Sequence, residues 1–204
     1  MKNFQQTREV VKYSLKYIKG RTLDLGAGSA KYKGIIKQGT SEYITFDMVK
    51  KEGIDVVGDV LDLSFKDKSF DTVISTQVLE HVEKPWIMVK EIQRILRKNG
   101  ICILTAPFLV PYHAVPCDYF RYTIEGIKSL FRNEDFEIIE CDGYGKTFSV
   151  LSEFFHFSFF NPCKKQRVGS RRIILFVERL AKFLDRFSRN KIIYTNVFVI
   201  AKKK

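Results

Sequence analysis

The 204-residue sequence contains few cysteines and no long apolar run. Its cysteines, Cys102, Cys117, Cys141 and Cys163, form no C-x-x-C pair, which favours reduced thiols over a disulfide framework or a zinc site of that spacing. No stretch approaches the roughly 18 to 20 apolar residues of a membrane-spanning helix, and residues 1–6 are too polar to open a secretory signal. We therefore expect a cytoplasmic protein, and a hydrophobic content of 45% predicts a single globular domain over residues 1–204.

Acidic residues are scarce in the last fifth of the chain. Residues 161–204 contain 13 Lys or Arg against Glu178 and Asp185, a net charge of +11 out of +12 for the whole chain. Residues 1–160 are therefore nearly neutral. This asymmetry predicts an acidic partner for the C-terminal part, such as anionic lipid or nucleic acid.

A carboxylate and two glycines follow one another at the end of a predicted strand. Residues 21–25 form an apolar strand that includes Asp24 and leads into Gly26 and Gly28, and a second strand ends on Asp47, 19 residues after Gly28. Glycines let the backbone turn sharply and approach a ligand, and an acid about 20 residues further on can bind the hydroxyls of a ribose. The pattern predicts a nucleoside-binding site.

Two residues indicate which nucleoside binds. A dinucleotide loop of the G-x-G-x-x-G kind requires a third glycine at position 31, which is Lys31 in this chain. Asp24 would repel a pyrophosphate, but it would attract the ammonium and sulfonium groups of S-adenosylmethionine (SAM). A nicotinamide-dependent oxidoreductase is therefore disfavoured.

Residues 20–107 resemble the class I SAM-dependent methyltransferases in several successive motifs. Asp24, Gly26 and Gly28 match the first motif, acid-x-G-x-G-x-G, with Ala30 at the third glycine. Residues 69–82, SFDTVISTQVLEHV, are similar to the corresponding stretch of the type-11 methyltransferase domain. The resemblance implies SAM as the cofactor.

The resemblance also implies the remaining cofactor contacts. The cofactor-binding residues that we predict lie at successive strand ends and are Asp24, Gly26, Gly28, Asp47, Met48, Asp59, Val60 and Gln77. Within this set, Asp47 binds the ribose, while Asp59 and Val60 follow the third strand and contact the adenine. Gln77 is included because it follows the fourth strand directly.

Strand and helix patterns alternate along the chain, which predicts a parallel sheet covered on both faces. Strands are predicted at residues 21–25, 43–47, 54–58, 70–75, 100–105, 136–140 and 193–200, and helices at residues 5–19, 29–38, 85–97 and 123–131. The fold class is α/β, a Rossmann-like class I methyltransferase fold with a seven-stranded, mostly parallel sheet. The resemblance implies an antiparallel last strand.

Residues 141–192 separate the last two predicted strands and are interpreted as a helical, aromatic and basic insertion. Residues 148–160 hold six of the 18 phenylalanines, and residues 171–189 place Ile173, Phe176 and Leu180 on one helical face with arginines opposite. Two interpretations stay open: residues 148–189 lie on an anionic membrane surface, or they only cover the sheet. Nucleic acid is disfavoured because the aromatic cluster precedes the basic helix instead of interleaving with it.

The loop at residues 107–123 supplies the catalytic candidates, His113, Tyr119 and Asp118. It resembles the PxHxxPxDYFRYT loop of a type-11 subgroup, and His113 is suited to act as a general base because imidazole titrates near neutral pH. Alternatively, His113, Asp118 and Arg121 form a hydrogen-bonded bracket that stiffens the loop. Tyr119 either lines an acceptor pocket or packs.

No metal is predicted. Quinone O-methyltransferases carry a Glu-x-x-Glu-His pattern that is linked to a divalent metal, but this chain has Gln77 at the first carboxylate, so His81 is interpreted as structural. The predicted function is methyl transfer from SAM to a small-molecule, lipid-linked or saccharide-linked acceptor. The alternative is a membrane-associated regulatory protein that binds SAM without turnover. The expected location is the cytoplasm, and whether the protein is peripheral on the inner face of the membrane stays open.

Overall fold

The computed structural model describes residues 4–114, 116–132, 135–161, 166–167, 171–188 and 192–204. The strands are β1 (Arg21–Leu25), β2 (Glu42–Asp47), β3 (Val56–Val57), β4 (Phe70–Thr76), β5 (Leu96–Pro107), β6 (Phe136–Tyr144), β7 (Phe160–Asn161), β8 (Gln166–Arg167) and β9 (Asn196–Lys203). The helices are α1 (Thr7–Ser14), α2 (Lys33–Ile36), α3 (Pro85–Ile95), α4 (Ile124–Ser129), α5 (Thr147–Phe159) and α6 (Arg171–Asp185), with a 3₁₀ turn at Leu79–His81.

Seven strands form one sheet in the order β3-β2-β1-β4-β5-β9-β6. The pairs from β3 to β5 are parallel, and β9 is antiparallel to both of its neighbours, β5 and β6. This arrangement confirms the predicted α/β class I fold with its antiparallel last strand. The strand order reverses at β1, so β1, β2 and β4 end together at one edge of the sheet, where ligands of open α/β sheets bind.

Apolar side chains cover both faces of the sheet. On one face, Val89, Ile92 and Ile95 of α3 pack against strand residues such as Leu23 and Leu104. On the other face, Val10 and Val11 of α1 join Ile36, Tyr144 and Phe198 in a second buried cluster. The fully buried strands explain why the strand segments read as nearly continuous apolar runs.

All four predicted helices are shorter than their sequence patterns indicate; those predicted over residues 5–19 and 123–131 are Thr7–Ser14 and Ile124–Ser129. The helix predicted over residues 85–97 ends at Ile95, because Leu96 adopts an extended conformation and pairs with Phe70 of β4. The helix predicted over residues 29–38 is reduced to Lys33–Ile36. Strand pairing overrides helix propensity in the helix predicted over residues 85–97, since Leu96 is completely buried in the sheet core.

The insertion begins later than predicted. β6 continues through Tyr144 because its pairing with β9 extends to the pair Tyr144↔Asn196, so the predicted boundary at residue 141 lies inside a strand. The intervening segment contains α5 and α6, which contact each other, and the short β7-β8 ladder between them. Parts of the predicted insertion, residues 162–165, 168–170 and 189–191, lie outside the described residues.

The predicted apolar face of α6 is not the face that packs against the protein. Ile174, Ala181 and Asp185 are buried, whereas a stripe at helical spacing, which continues into the turn after α6, is exposed to solvent: Ile173, Phe176, Leu180, Phe183 and Phe187. We call this stripe the exposed apolar face of α6. Within the described part of the chain, none of the helices is long and apolar enough to span a bilayer.

Candidate active site

A cavity of about 240 Å³ lies where β1 and β4 end. Predicted cofactor residues Asp24, Gly26, Gly28 and Gln77 line it, together with Ala27, Ser29, Lys31, Tyr32 and Thr76. We call it the glycine-loop cavity. The sheet topology brings these residues together from two strand ends that are separated by 50 residues in sequence.

Glycine occupies the two positions of this loop, Gly26 and Gly28, for different structural reasons. Gly26 has a φ of +73°, and a Cβ at that position would lie 2.4 Å from a methyl carbon of Val78. Gly28 has a φ of +59° and faces open space. Gly26 is therefore required by the close approach of the chain, whereas the absence of a side chain at Gly28 leaves room for a ligand.

Asp24 is a buried carboxylate at the wall of the glycine-loop cavity. Burial raises the pKa of Asp24 to about 6, against the effect of a hydrogen bond that the Tyr43 hydroxyl donates to its Oδ2 at 2.5 Å. The same contact and its own burial raise the pKa of Tyr43. Tyr43 was not singled out from the sequence, because its partnership with Asp24 depends on the parallel pairing of β1 and β2.

Asp47 holds the glycine loop from the end of β2. Its Oδ2 accepts a hydrogen bond from the Gly28 amide at 2.8 Å, and its Oδ1 accepts one from Val49 at 3.0 Å. The predicted contacts Met48, Asp59 and Val60 do not line the glycine-loop cavity. Met48 and Asp59 are exposed at the ends of β2 and β3, and Val60 packs against the core, so their predicted roles stay predictions.

Two residues of this region other than glycine adopt left-handed backbone conformations. Gln77 has a φ of +56° and donates a hydrogen bond through its side-chain amide to Thr105 Oγ1 at 3.1 Å. Ala30, at the position of the third family glycine, has a φ of +49°. Such strain persists where the surrounding structure fixes it, and it is frequent at ligand sites.

A second cavity of about 500 Å³ adjoins the first, and Lys31 and Tyr32 line both. Its wall is formed by the N-terminal segment, by α5 and α6 and by the start of β9, and it is rich in polar groups. The charged residues of the wall are Arg8, Lys31, Glu153, His156, Glu178 and Lys182. We call it the polar cavity.

The loop that follows β5 contains the predicted bracket. The Arg121 guanidinium binds both carboxylate oxygens of Asp118 and the carbonyl oxygens of Val110 and Pro111, and the His113 amide donates to Asp118 Oδ2 at 2.8 Å. The Asp118 side chain is fully buried. These contacts give Asp118 a positioning role for His113, and Arg121 together with the His113 amide holds the pKa of Asp118 below its usual value despite burial.

Glu80 is the residue of this site that the sequence analysis missed. It is completely buried, and neither carboxylate oxygen has a hydrogen-bond partner among the described residues. The Nε2 atoms of His81 and His113 lie 3.8 Å and 3.9 Å from its Oε1. Proximity to Glu80 raises the pKa of His113, and the Pro111 carbonyl acts in the same direction.

Tyr119 lies next to Glu80 at the protein surface. Its amide donates a hydrogen bond to the Glu80 carbonyl at 2.7 Å, and its side chain is exposed. The structure thus brings Tyr119 and His113 close to the same residue. The catalytic roles of His113, Tyr119 and Asp118 remain predictions.

Comparison with known families gives one match. Residues 23–104 match the family model of the type-11 methyltransferase domain. A curated protein of Methanocaldococcus jannaschii, which is itself described as uncharacterized, is 35% identical over 92 residues, covering 42% of this chain and 44% of that protein. The matched region thus spans less than half of this curated relative.

Solved structures resemble the fold over nearly the whole chain. A SAM-dependent methyltransferase from Archaeoglobus fulgidus has a TM-score of 0.62 at 18% identity, covering 97% of this chain and 95% of that one. An S-adenosylmethionine-dependent methyltransferase from Mesorhizobium loti has a TM-score of 0.60 at 16% identity, covering 96% of each chain. The [4+2]-cyclase SpnF also shares the fold, with a TM-score of 0.62 at 15% identity, covering 96% of this chain and 80% of that one. Residues 23–104 therefore match the methyltransferase domain family, and the chain as a whole has the fold of these SAM-dependent methyltransferase structures.

Proposed function

We propose that the protein transfers the methyl group of SAM to the polar head of an amphiphilic acceptor that it reaches at an anionic membrane surface. Methyl transfer from a sulfonium is an in-line displacement, so the protein contributes mainly by holding donor and acceptor in a near-attack geometry. The glycine-loop cavity takes the donor and the polar cavity takes the acceptor head.

The observation that carries this proposal is that the two cavities meet at Lys31 and Tyr32. A donor held at Asp24 and the glycine loop has its reactive end near an adjoining space large enough for a second small group. That space presents Arg8 and Lys182 as well as Glu153 and Glu178, so it suits a polar or charged head better than a hydrocarbon chain. Burial raises the pKa of Glu153, which favours the neutral form of this carboxyl.

The Glu80, His81 and His113 side chains supply the chemistry at the acceptor end. His113 contacts the Phe157 ring of α5 at 6.1 Å between centroids, and α5 also carries Glu153 and His156 of the polar cavity. The Glu80, His81 and His113 side chains are suited to activate the hydroxyl or amine of the acceptor, which becomes the nucleophile.

The outer surface of the α5-α6 pair supports a membrane approach. In addition to the exposed apolar face of α6, Leu151 and Phe154 of α5 are more than half exposed. By helical spacing, three arginines lie next to this face, on α6 or directly after it: Arg172, Arg179 and Arg186. An apolar stripe flanked by arginines suits the boundary between anionic head groups and acyl chains, and the same two helices form part of the polar cavity wall.

The methyl acceptor can be tested with purified protein and methyl-labelled SAM added to a membrane fraction and to a soluble extract. We expect label in an amphiphile that partitions into organic solvent, and loss of that label with Glu153→Gln. Label confined to water-soluble compounds would contradict the amphiphilic acceptor. Absence of label in both fractions, with SAM binding intact, would favour the non-catalytic alternative.

The membrane approach has a separate test in flotation with lipid vesicles that contain or lack anionic phosphatidylglycerol. We expect binding to the anionic vesicles that weakens with added salt, and its loss in the double variant Phe176→Ser, Phe187→Ser. Trp86→Ser is the matched control, because Trp86 is a similarly exposed aromatic residue on α3. Equal flotation of the double variant and the control would contradict this part of the proposal.

A further inference from the structure

We propose that Glu80, His81 and His113 form a binding site for a divalent transition-metal ion, with Zn²⁺ as the cation that fits best. One ligand atom from each of these residues lies within 4.8 Å of the other two. We call these residues the Glu-His-His cluster. The inference rests on the proposed function for its role, and it departs from the expectation that the missing carboxylate at Gln77 excludes a metal.

The first argument is that the Glu80 carboxylate is buried without a hydrogen bond from the described residues. A buried carboxylate without hydrogen bonds is strongly unfavourable unless a positive charge compensates it. Glu80 has no exposed surface and no hydrogen-bond partner among the described residues, and its ion-pair distances there are both to imidazole nitrogens. A cation between the carboxylate and the two rings would supply the missing partner.

The second argument is the orientation of the two imidazoles. His81 Nδ1 lies 2.5 Å from the Cys117 carbonyl oxygen, and His113 Nδ1 lies 2.9 Å from the Pro111 carbonyl oxygen. A carbonyl oxygen only accepts, so each ring places a proton on Nδ1, and for His113 this contact is shorter than the 3.3 Å contact between Arg121 Nη2 and the same nitrogen. In the neutral form both rings then present the lone pair of Nε2 to Glu80. Metal-ligating histidines almost always donate their other ring nitrogen to a carbonyl or carboxylate in this way.

The third argument is the spacing of the ligand atoms. Ligands at about 2.1 Å from a tetrahedral Zn²⁺ lie about 3.4 Å apart. The observed distances from Glu80 Oε1 to the two Nε2 atoms are 3.8 Å and 3.9 Å, and all three ligand atoms lie within 4.8 Å of one another. A contraction of at most about 1.4 Å between any two of them gives the tetrahedral spacing. The loop that supplies His113 is held by Asp118 and Arg121, which preorganises this ligand.

The ligand set also indicates the role of the ion. Two imidazoles and one carboxylate suit Zn²⁺ and leave a coordination position open. Methyl transfer changes no oxidation state at a metal, so a redox-inert ion is sufficient. An acceptor hydroxyl bound at the open position would have a lowered pKa and would release its proton to solvent, with His113 as a metal ligand instead of the proton acceptor. The resulting oxygen nucleophile would form its bond to the methyl carbon as the methyl–sulfur bond of the sulfonium breaks, leaving a neutral thioether.

The test is calorimetric titration of the metal-stripped full chain with Zn²⁺, together with the absorption spectrum after Co²⁺ is added instead. We expect one equivalent of Zn²⁺ to bind, a tetrahedral Co²⁺ spectrum, and a loss of Zn²⁺ affinity of at least about tenfold in His113→Gln and in Glu80→Gln. His156→Gln is the control for metal binding, because it removes the third and last histidine of the chain.

Failure of this inference is distinguishable from failure of the proposed function. SAM-induced thermal stabilisation, measured on the same metal-stripped samples, shows whether each variant is folded and binds the donor. Wild-type protein that responds to SAM but takes up no stoichiometric Zn²⁺ would overturn the metal site and leave the methyltransferase proposal in place. Equal Zn²⁺ affinity of wild type and His113→Gln would also overturn it.

Discussion

At the residue scale, the site depends on carboxylates that are buried for different purposes. Asp24 accepts from Tyr43 and faces the glycine-loop cavity, Asp47 holds the Gly28 amide, and Glu80 has no hydrogen-bond partner among the described residues. Burial favours the neutral form of an acid unless hydrogen bonds or cations stabilise the charge. The environment of each carboxylate therefore indicates whether it stabilises the fold or is available to bind a ligand.

Asp24 makes SAM binding dependent on pH. Because burial raises its pKa to about 6, the carboxyl becomes neutral below that pH and loses its attraction for a cationic donor. We expect SAM affinity to fall as the pH is lowered through about 6 in the wild type, and to be weak without this pH dependence in Asp24→Asn. Calorimetry at pH values on both sides of this pKa measures the effect; a parallel pH dependence in both proteins would contradict it.

The same substitution has the opposite effect on the ligand-free protein. The pKa of Asp24 is higher in the folded state than the ordinary 3.8, so the folded protein holds the proton more tightly and loses stability as the pH rises from about 4 to about 6. Asn has no charge to bury. We expect Asp24→Asn to stabilise the ligand-free protein above pH 6, by at most on the order of 3 kcal/mol, in urea unfolding. A destabilised variant would show that the contact with Tyr43 dominates instead.

Ala30 offers a test of backbone strain. A left-handed conformation costs a residue other than glycine about 1–2 kcal/mol. Substitution by glycine removes this strain, but part of the gain is lost because glycine makes the unfolded chain more flexible. We expect Ala30→Gly to raise the free energy of unfolding by about 0.5–1 kcal/mol. Ala27→Gly is the control and should lower it, because Ala27 has no positive φ. The same sign for both variants would contradict the assignment.

At the element scale, α6 anchors α5 through one buried carboxylate. Asp185, near the end of α6, accepts hydrogen bonds from the amides of Lys146, Phe148 and Ser149 and from the Ser149 hydroxyl. These amides are the unsatisfied donors at the start of α5, where a negative charge also interacts favourably with the helix dipole. The α5-α6 pair, and with it the wall of the polar cavity, therefore depends on Asp185.

Removal of this carboxylate should loosen the pair. We expect Asp185→Ala to destabilise the protein by about 2–4 kcal/mol, because several buried amides lose their partner. Asp185→Asn should cost less, since its side-chain oxygen still accepts. Chemical unfolding measures the cost, and amide hydrogen exchange at Phe148 and Ser149 locates it. Unchanged exchange at these amides in Asp185→Ala would contradict the capping role.

At the scale of the whole molecule, a ligand that binds only the folded state stabilises it. SAM at 100 times its dissociation constant adds about 2.7 kcal/mol, which for a chain of this size raises the melting temperature by about 5–10 °C. We expect this shift with SAM and none with a nicotinamide dinucleotide. Asp47→Ala should lose most of the shift, and a full shift in this variant would contradict the ribose assignment.

The sequence alone determined the α/β fold class and predicted the nucleoside site, because both depend on local patterns of residues. Alternating apolar strands and amphipathic helices require a covered parallel sheet, and the Asp24-Gly26-Gly28 loop followed by Asp47 encodes a nucleoside site within one stretch of chain. Local sequence patterns predicted the ends of helices and strands less accurately. Leu96 and Tyr144 belong to strands because of partners far away in sequence.

Only the tertiary structure decided which distant residues share one environment. Tyr43 meets Asp24 through strand pairing, and Glu80 meets His113 because the loop after β5 folds back over the end of β4. The exposed stripe on α6 is likewise a property of packing, since an amphipathic pattern does not state which of its faces is covered. Burial arises only when these elements assemble, and with it the raised pKa of Asp24 and the lack of a hydrogen bond to the Glu80 carboxylate among the described residues.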